Sequence, residues 1–216
     1  MSKSNYKLLI FDWDGTLSNS VDRIVSCIQI AAKEHQLPVP SFDQAANIIG
    51  LGLREAVDLL FPSADKQLVS EIAASYSVHY RIADSGPCDF FPHVMSALTE
   101  LKSRGYLLAV ATGKSRAGLD RAFASSNIED LFHSSRCASE TESKPSPLML
   151  NELLEEFNLK ADQALMVGDT EYDMEMAQRI QMPRLGVSYG AHEAHRLLKY
   201  RPVACIDCFS KITKYI

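Results

Sequence analysis

The chain predicts an α/β protein built on a doubly wound parallel sheet, with an all-helical segment inserted after the first strand. Three observations carry this expectation. Lys7-Leu8-Leu9-Ile10-Phe11 is a continuous apolar run that stops at Asp12-Trp13-Asp14-Gly15, the pattern of a strand buried on both faces and ended by a turn. Comparable runs recur at Tyr106 to Ala111, Ala164 to Val167 and Leu185 to Val187, separated by helical stretches, as in repeated strand and helix units. From about Asn19 to Cys88 the apolar residues follow helical spacing alone, with no strand between them.

In chain order, the first strand delivers Asp12 to its end. Val21, Ile24, Val25, Ile28 and Ala32 then mark the first inserted helix, and Leu53 to Leu60 and Gln67 to Ile82 read as further helices. Ser18-Asn19-Ser20 and Gly86-Pro87 flank the insertion and have the composition of hinges. This divides the chain into a core of residues 1–18 and 89–216 and a helical cap of residues 19–88. Beyond the cap, Val94, Leu98 and Leu101 line one face of a helix that Gly105 ends. Leu150, Leu153, Leu154 and Phe157 line another, and Pro202-Val203-Ala204 reads as a late strand.

With 216 residues, 46% of them hydrophobic, the chain is long enough to bury one core plus an insertion. A formal net charge of -5 without a concentrated basic face argues against nucleic acid as partner and favours a small molecule. No segment has the length of a bilayer span, and the start lacks the pattern of a secretory signal, so the expectation is a cytoplasmic protein with no membrane partner. Cys27, Cys88, Cys137, Cys205 and Cys208 are scattered as reduced thiols would be; the closely spaced last pair has no second pair to complete a zinc site. The six histidines show no metal-ligand spacing, and His192 and His195 read as solvated positions on a helix. Nothing in the sequence sets the oligomeric state.

Ligands of open α/β sheets bind beyond the carboxyl ends of the strands, so residues that follow apolar runs converge in space. That rule selects Asp12 and Asp14, then Thr112 and Gly113, then Gly168 and Asp169, with Asp173 one turn further on. Lys144, in Ser143-Lys144-Pro145-Ser146-Pro147, stands just before a helix. Crowded carboxylates repel and are costly to bury, so the set calls for a hard divalent cation, and oxygen-only ligation points to Mg2+. Magnesium shares its coordination with phosphate, which gives Lys144 and Thr112 a phosphoryl group to hold. Residues 12 and 14 of an extended segment diverge, but a turn at Gly15 brings the second carboxylate round, so that one attacks while its neighbour handles protons.

Asp12-Trp13-Asp14-Gly15-Thr16-Leu17, Ala111-Thr112-Gly113-Lys114, Ser143-Lys144-Pro145 and Gly168-Asp169-Thr170-Glu171-Tyr172-Asp173 together resemble the four ordered motifs of haloacid dehalogenase superfamily phosphatases. The insertion after the first motif resembles the cap of the phosphoglycolate phosphatase-like and β-phosphoglucomutase-like branch, so the resemblance covers essentially the whole chain. It implies a Rossmann-like core and Mg-dependent hydrolysis of a small-molecule phosphate monoester, phosphoglycolate-like, through an aspartyl-phosphate. By the same resemblance Asp12 is the nucleophile, and Asp14 protonates the leaving oxygen and then activates water. The metal would be held by Asp12, the backbone carbonyl of Asp14 and Asp169, with Asp173 supporting its water shell. Thr112, the Gly113 amide and Lys144 would bind the phosphoryl oxygens.

Other readings stand beside this one. A sugar-phosphate mutase uses the same paired aspartates. A carbon-attacking dehalogenase needs neither Asp14 nor Asp169, and a phospho-aspartate signalling module has no use for a cap. Gly113-Lys114-Ser115 imitates the end of a P-loop, but the required earlier glycine is Leu108. In Gly50-Leu51-Gly52-Leu53-Arg54, two glycines at a helix start would let Arg54 reach an anionic substrate group; the alternative is a solvated helix residue.

Overall fold

The computed structural model describes residues 5–216. Six strands, β1 (Leu8–Phe11), β2 (Leu107–Thr112), β3 (Ser134–Cys137), β4 (Ala164–Gly168), β5 (Arg184–Val187) and β6 (Ala204–Ile206), form one sheet in the order β3-β2-β1-β4-β5-β6. Every neighbouring pair is parallel, and the register sets Ile10 of β1 between Ala109 and Met166. Alternation divides the strand residues between two cores. Leu9, Phe11, Leu108, Val110, Leu165 and Val167 pack under α5 (Val94–Ser103) and α6 (Arg116–Ser126). Leu8, Ile10, Ala109, Ala111, Ala164 and Met166 pack under α7 (Leu148–Glu156) and α8 (Glu171–Arg179) on the opposite face. A short α9 (Ala194–Leu198) follows β5. Each β1 side chain is fully buried, worth about 1.5–3 kcal/mol apiece, which is why the run had to be apolar on both faces.

Between β1 and α5 the chain is helical: α1 (Val21–Glu34), α2 (Phe42–Ala46), α3 (Leu53–Leu60) and α4 (Lys66–Ala83). These helices bury clusters of their own, one around Ile24, Ile28, Ile49 and Tyr80 and one around Ala31, Val57, Phe61 and Ile72. The two crossings between sheet and insertion run side by side: the Asn19 amide donates to the Asp89 carbonyl (2.7 Å), and the Phe91 amide to that of Leu17 (3.0 Å). Among the described residues no helix is long and apolar enough to cross a membrane.

The strands differ from the sequence expectation at the sheet's edges. β3 was not anticipated, because Ser134-Ser135-Arg136 is polar and half-buried, as an edge strand can be. The late strand starts at Ala204, where the expected run ended, since Ile206 is its buried residue.

Candidate active site

In this strand order the winding reverses between β1 and β4, and the residues that leave those strands meet there. Asp12 follows β1 directly, its amide donating to the Val167 carbonyl (2.9 Å), while Thr112 ends β2 and Asp169 follows β4. Trp13 turns into the core instead, packing edge-on against Phe90 and Phe123, so the loop is pinned while its neighbours face the sheet end. Gly15 then crosses in front of Asp169 at φ +81°; a Cβ there would lie 2.2 Å from Asp169 Oδ2. The close approach lets the Thr16 hydroxyl donate to Asp169 Oδ1 (2.7 Å), opposite the Ala191 amide on Oδ2 (2.7 Å).

Asp12, Asp169 and Asp173 are all buried, each offering an oxygen within 4.8 Å of the others. Lys144 Nζ lies 2.7 Å from Asp12 and 2.7 Å from Asp173, with its ammonium fully enclosed. Asp173 is also fixed by the Thr170 amide and hydroxyl (3.0 and 2.7 Å), which cap the start of α8. Asp12 is different. Apart from the Lys144 ammonium at Oδ1, its buried oxygens accept no hydrogen bond from a described residue. Burial pushes the Asp12 carboxyl well above its usual range, with Lys144 pulling down and Asp173 and Asp169 pushing up. Asp169 is pushed up to about 7 by burial and then by Asp173. For Lys144 burial works against the charge, but the two carboxylates outweigh it and hold the ammonium above its ordinary value. One ammonium faces three carboxylates, all the donors are oxygen, and one carboxylate is unsolvated. That arrangement fits a hard divalent cation.

Asp14 is turned out of this cluster. Its side chain pairs with Lys114 Nζ (2.9 Å) and accepts from the Ser20 hydroxyl (2.7 Å), which leaves its backbone carbonyl as the expected ligand. Lys114 was missed as a site residue; it also donates to the Tyr80 hydroxyl of α4 (3.1 Å) and lies over that ring. Its signal was its place directly after Thr112-Gly113. Thr112 is buried, its hydroxyl accepting from the Lys114 amide (3.2 Å). A cavity of about 260 Å³ opens from Asp12, Asp14, Thr112 and Gly113 toward the inserted helices.

Two expectations are corrected. Arg54 is exposed and does not line the cavity: helical spacing turns Leu53 and Ala56 inward and 54 outward. The glycines beside it serve close approach instead. A Cβ on Gly113 would meet the Leu51 and Gly50 carbonyl oxygens at 2.4 and 2.6 Å, and the Gly52 amide donates to the Ser143 hydroxyl (2.7 Å). His192 is not solvated but 1% exposed, and it precedes α9 rather than sitting on it. Its Nδ1 accepts from the Glu171 amide (3.1 Å), so Nε2 carries the proton shared with the Asn47 carbonyl (3.2 Å). His195 is exposed, as expected.

A family model described as haloacid dehalogenase-like hydrolase matches residues 9–187, from β1 through the insertion to β5. The chain belongs to this family. Its relatives match along nearly their whole length. A phosphoglycolate phosphatase of Aliivibrio fischeri is 29% identical over 94% of this chain and 93% of its own. "Probable phosphatase IndB" of Dickeya dadantii is 32% identical over 95% and 91%. Among solved structures, one described as a predicted phosphoglycolate phosphatase from Haemophilus somnus superposes with a TM-score of 0.87 at 27% identity, covering 99% of both chains. The chain is therefore an enzyme of the haloacid dehalogenase-like hydrolases, with phosphatases as its relatives.

Proposed function

We propose that this haloacid dehalogenase-like enzyme hydrolyses a small-molecule phosphate monoester through a phosphorylated Asp12, with Mg2+ at the carboxylate cluster. The observation that carries this is Asp12 itself, a buried carboxylate whose close partner among the described residues is the Lys144 ammonium, at the mouth of a cavity. A carboxylate held by a single ammonium keeps its remaining lone pairs for a metal and an electrophile. Asp12, Asp169 and Asp173 with the Asp14 carbonyl would hold the cation, which neutralises phosphoryl charge when bound. Lys144, Thr112 and the Gly113 amide bind and orient the phosphoryl oxygens. Asp12 attacks phosphorus; the leaving alkoxide takes its proton from Asp14. Asp14 then removes a proton from water, which attacks the acyl phosphate and restores Asp12. Ser20 and Lys114 hold Asp14 for both transfers. Residues 19–88 act as a cap that closes over the site about the paired crossings at Asn19 and Asp89.

The test is turnover with magnesium against a panel of phosphate monoesters, scored by kcat/KM. Asp12→Asn should abolish phosphate release and radiolabel transfer to protein, and EDTA should silence the wild type until magnesium returns. Full activity in Asp12→Asn sinks the proposal. Equal release of alcohol and inorganic phosphate separates hydrolysis from return of the phosphoryl group to a sugar, as in a mutase.

A further inference from the structure

The wall of the cavity beyond Asp14 has a chemistry of its own. Resting on the hydrolytic reading above, we infer that the preferred leaving group is a neutral alcohol with an apolar body several carbons long, rather than a short hydroxy acid. A phosphoryl group on Asp12 with its ester oxygen toward Asp14 sends the leaving group into the space lined by Ile24, Ile28, Ile48, Ile49 and Ala56. Those side chains are buried and bring no donor or charge. At about 260 Å³, the phosphoryl end included, the cavity is close to the ~300 Å³ at which clefts for drug-sized ligands begin, more than a phosphoryl group and two carbons fill.

A carboxylate adjacent to the ester would be stripped of water here without a counter-charge. The ammonium at that end, Lys114, is already engaged by Asp14 at 2.9 Å and by the Tyr80 hydroxyl at 3.1 Å. The guanidinium groups that line the cavity, Arg81 and Arg121, belong to solvent-exposed side chains. The polar groups contributed by α4 at the inner wall are the hydroxyls of Tyr76 and Tyr80, whose rings stack at 5.6 Å. Burial holds both neutral, Tyr80 being pushed up to about 12. The pocket therefore rewards apolar area and excludes buried negative charge. This separates the chain from what the name of its Aliivibrio fischeri relative says of that protein.

The experiment is a homologous series of primary alkyl phosphates, from ethyl to hexyl, with phosphoglycolate alongside, on the wild-type enzyme with magnesium. Leaving-group basicity is nearly constant along the series, so kcat/KM reads burial. We expect a rise of about fourfold per methylene across the first three or four carbons, and propyl phosphate turned over at least about tenfold better than phosphoglycolate. A flat series, or phosphoglycolate preferred over propyl phosphate, overturns the inference while leaving the hydrolytic reading intact. Failure to release phosphate from any member, phosphoglycolate and acetyl phosphate included, overturns the hydrolytic reading and the inference with it. As a variant arm, Ala56→Leu should cost the longer esters about tenfold and ethyl phosphate little; an equal loss across the series counts against the cavity as the leaving-group site.

Discussion

Lys144 is a single ammonium enclosed between Asp12 and Asp173, and its removal would leave like charges facing one another in a buried site. Breaking a buried pair by deleting one partner costs about 3–5 kcal/mol. For a chain of this size that is a fall in melting temperature of roughly 10 °C for Lys144→Met, measured by calorimetry without magnesium. An unshifted melting temperature would mean that the carboxylates neutralise themselves. Asp14 lies outside the carboxylate cluster, and the proposed mechanism gives its side chain the proton transfers. Asp14→Asn should keep the fold, with a lower melting temperature from the loss of the Lys114 ion pair, and lose ~10² to 10⁴ in kcat, with phosphoenzyme accumulating in a quench experiment. Asp12, Thr112, Asp169 and Asp173 were legible as a convergent set because each stands at or just past the end of a buried strand, where topology brings residues together whatever their separation. Lys114 carried only its place after Thr112-Gly113 as a signal, and His192 carried none. The burial of a lone histidine depends on Asn47 and Glu171, which are distant in sequence and carry no motif toward it.

At the scale of elements, the decisive contact is the seam between the inserted helices and the ends of the strands. The turn before α3 rests its carbonyl oxygens on Gly113, so Gly113→Val must push that turn away or distort the loop proposed to bind phosphate. The expected result is a drop in kcat/KM of about tenfold or more with the thermal transition retained; unchanged kinetics would show that the seam is not closed during turnover. A second contact joins the Asn47 carbonyl to the Tyr172 hydroxyl (2.8 Å) and to His192. Burial, and then Arg196, lower the pKa of His192, while Glu171 and Asp173 oppose them. The unfolded chain then binds the proton more readily than the folded one. Stability from this contact is complete above the ordinary histidine pKa of ~6.5 and is lost as pH falls below it. In urea unfolding between pH 7.5 and 5, the stability of the wild type relative to His192→Asn should decline as pH falls; parallel slopes would remove His192 as the cause. The long helices of the insertion were legible from spacing. α2 and β3 were not: five residues hold too little periodicity, although Ser41 and Gln44 form a capping box, and a polar edge strand has no apolar run to read.

For the molecule as a whole, the proposed metal site at the point where the sheet's winding reverses would tie catalysis to stability. Three carboxylates gathered from the ends of β1 and β4 and the start of α8 oppose folding when all are ionised, and a cation that binds only the folded chain offsets this. Asp169 makes the effect depend on pH. Its carboxyl, pushed up to about 7, holds a proton in the folded state that the unfolded chain has already lost. Metal-free stability therefore falls as pH rises from the ordinary aspartate value of ~3.9 through about 7. Protons and cation compete for the same oxygens, so magnesium should stabilise the protein strongly at pH 8 and little at pH 5. Magnesium at a hundred times its Kd is worth about 2.7 kcal/mol, a rise of roughly 5–10 °C in melting temperature at the higher pH. Asp169→Asn should abolish the magnesium-dependent part without lowering metal-free stability, because it removes the charge while its oxygen can accept from the Ala191 amide and its NH2 donate to the Thr16 hydroxyl. Calcium should also stabilise the chain, yet support turnover poorly, since its larger and looser shell misplaces the phosphoryl group against Asp12. A magnesium shift that is equal at both pH values, or that survives in Asp169→Asn, would place the cation elsewhere than at this sheet end.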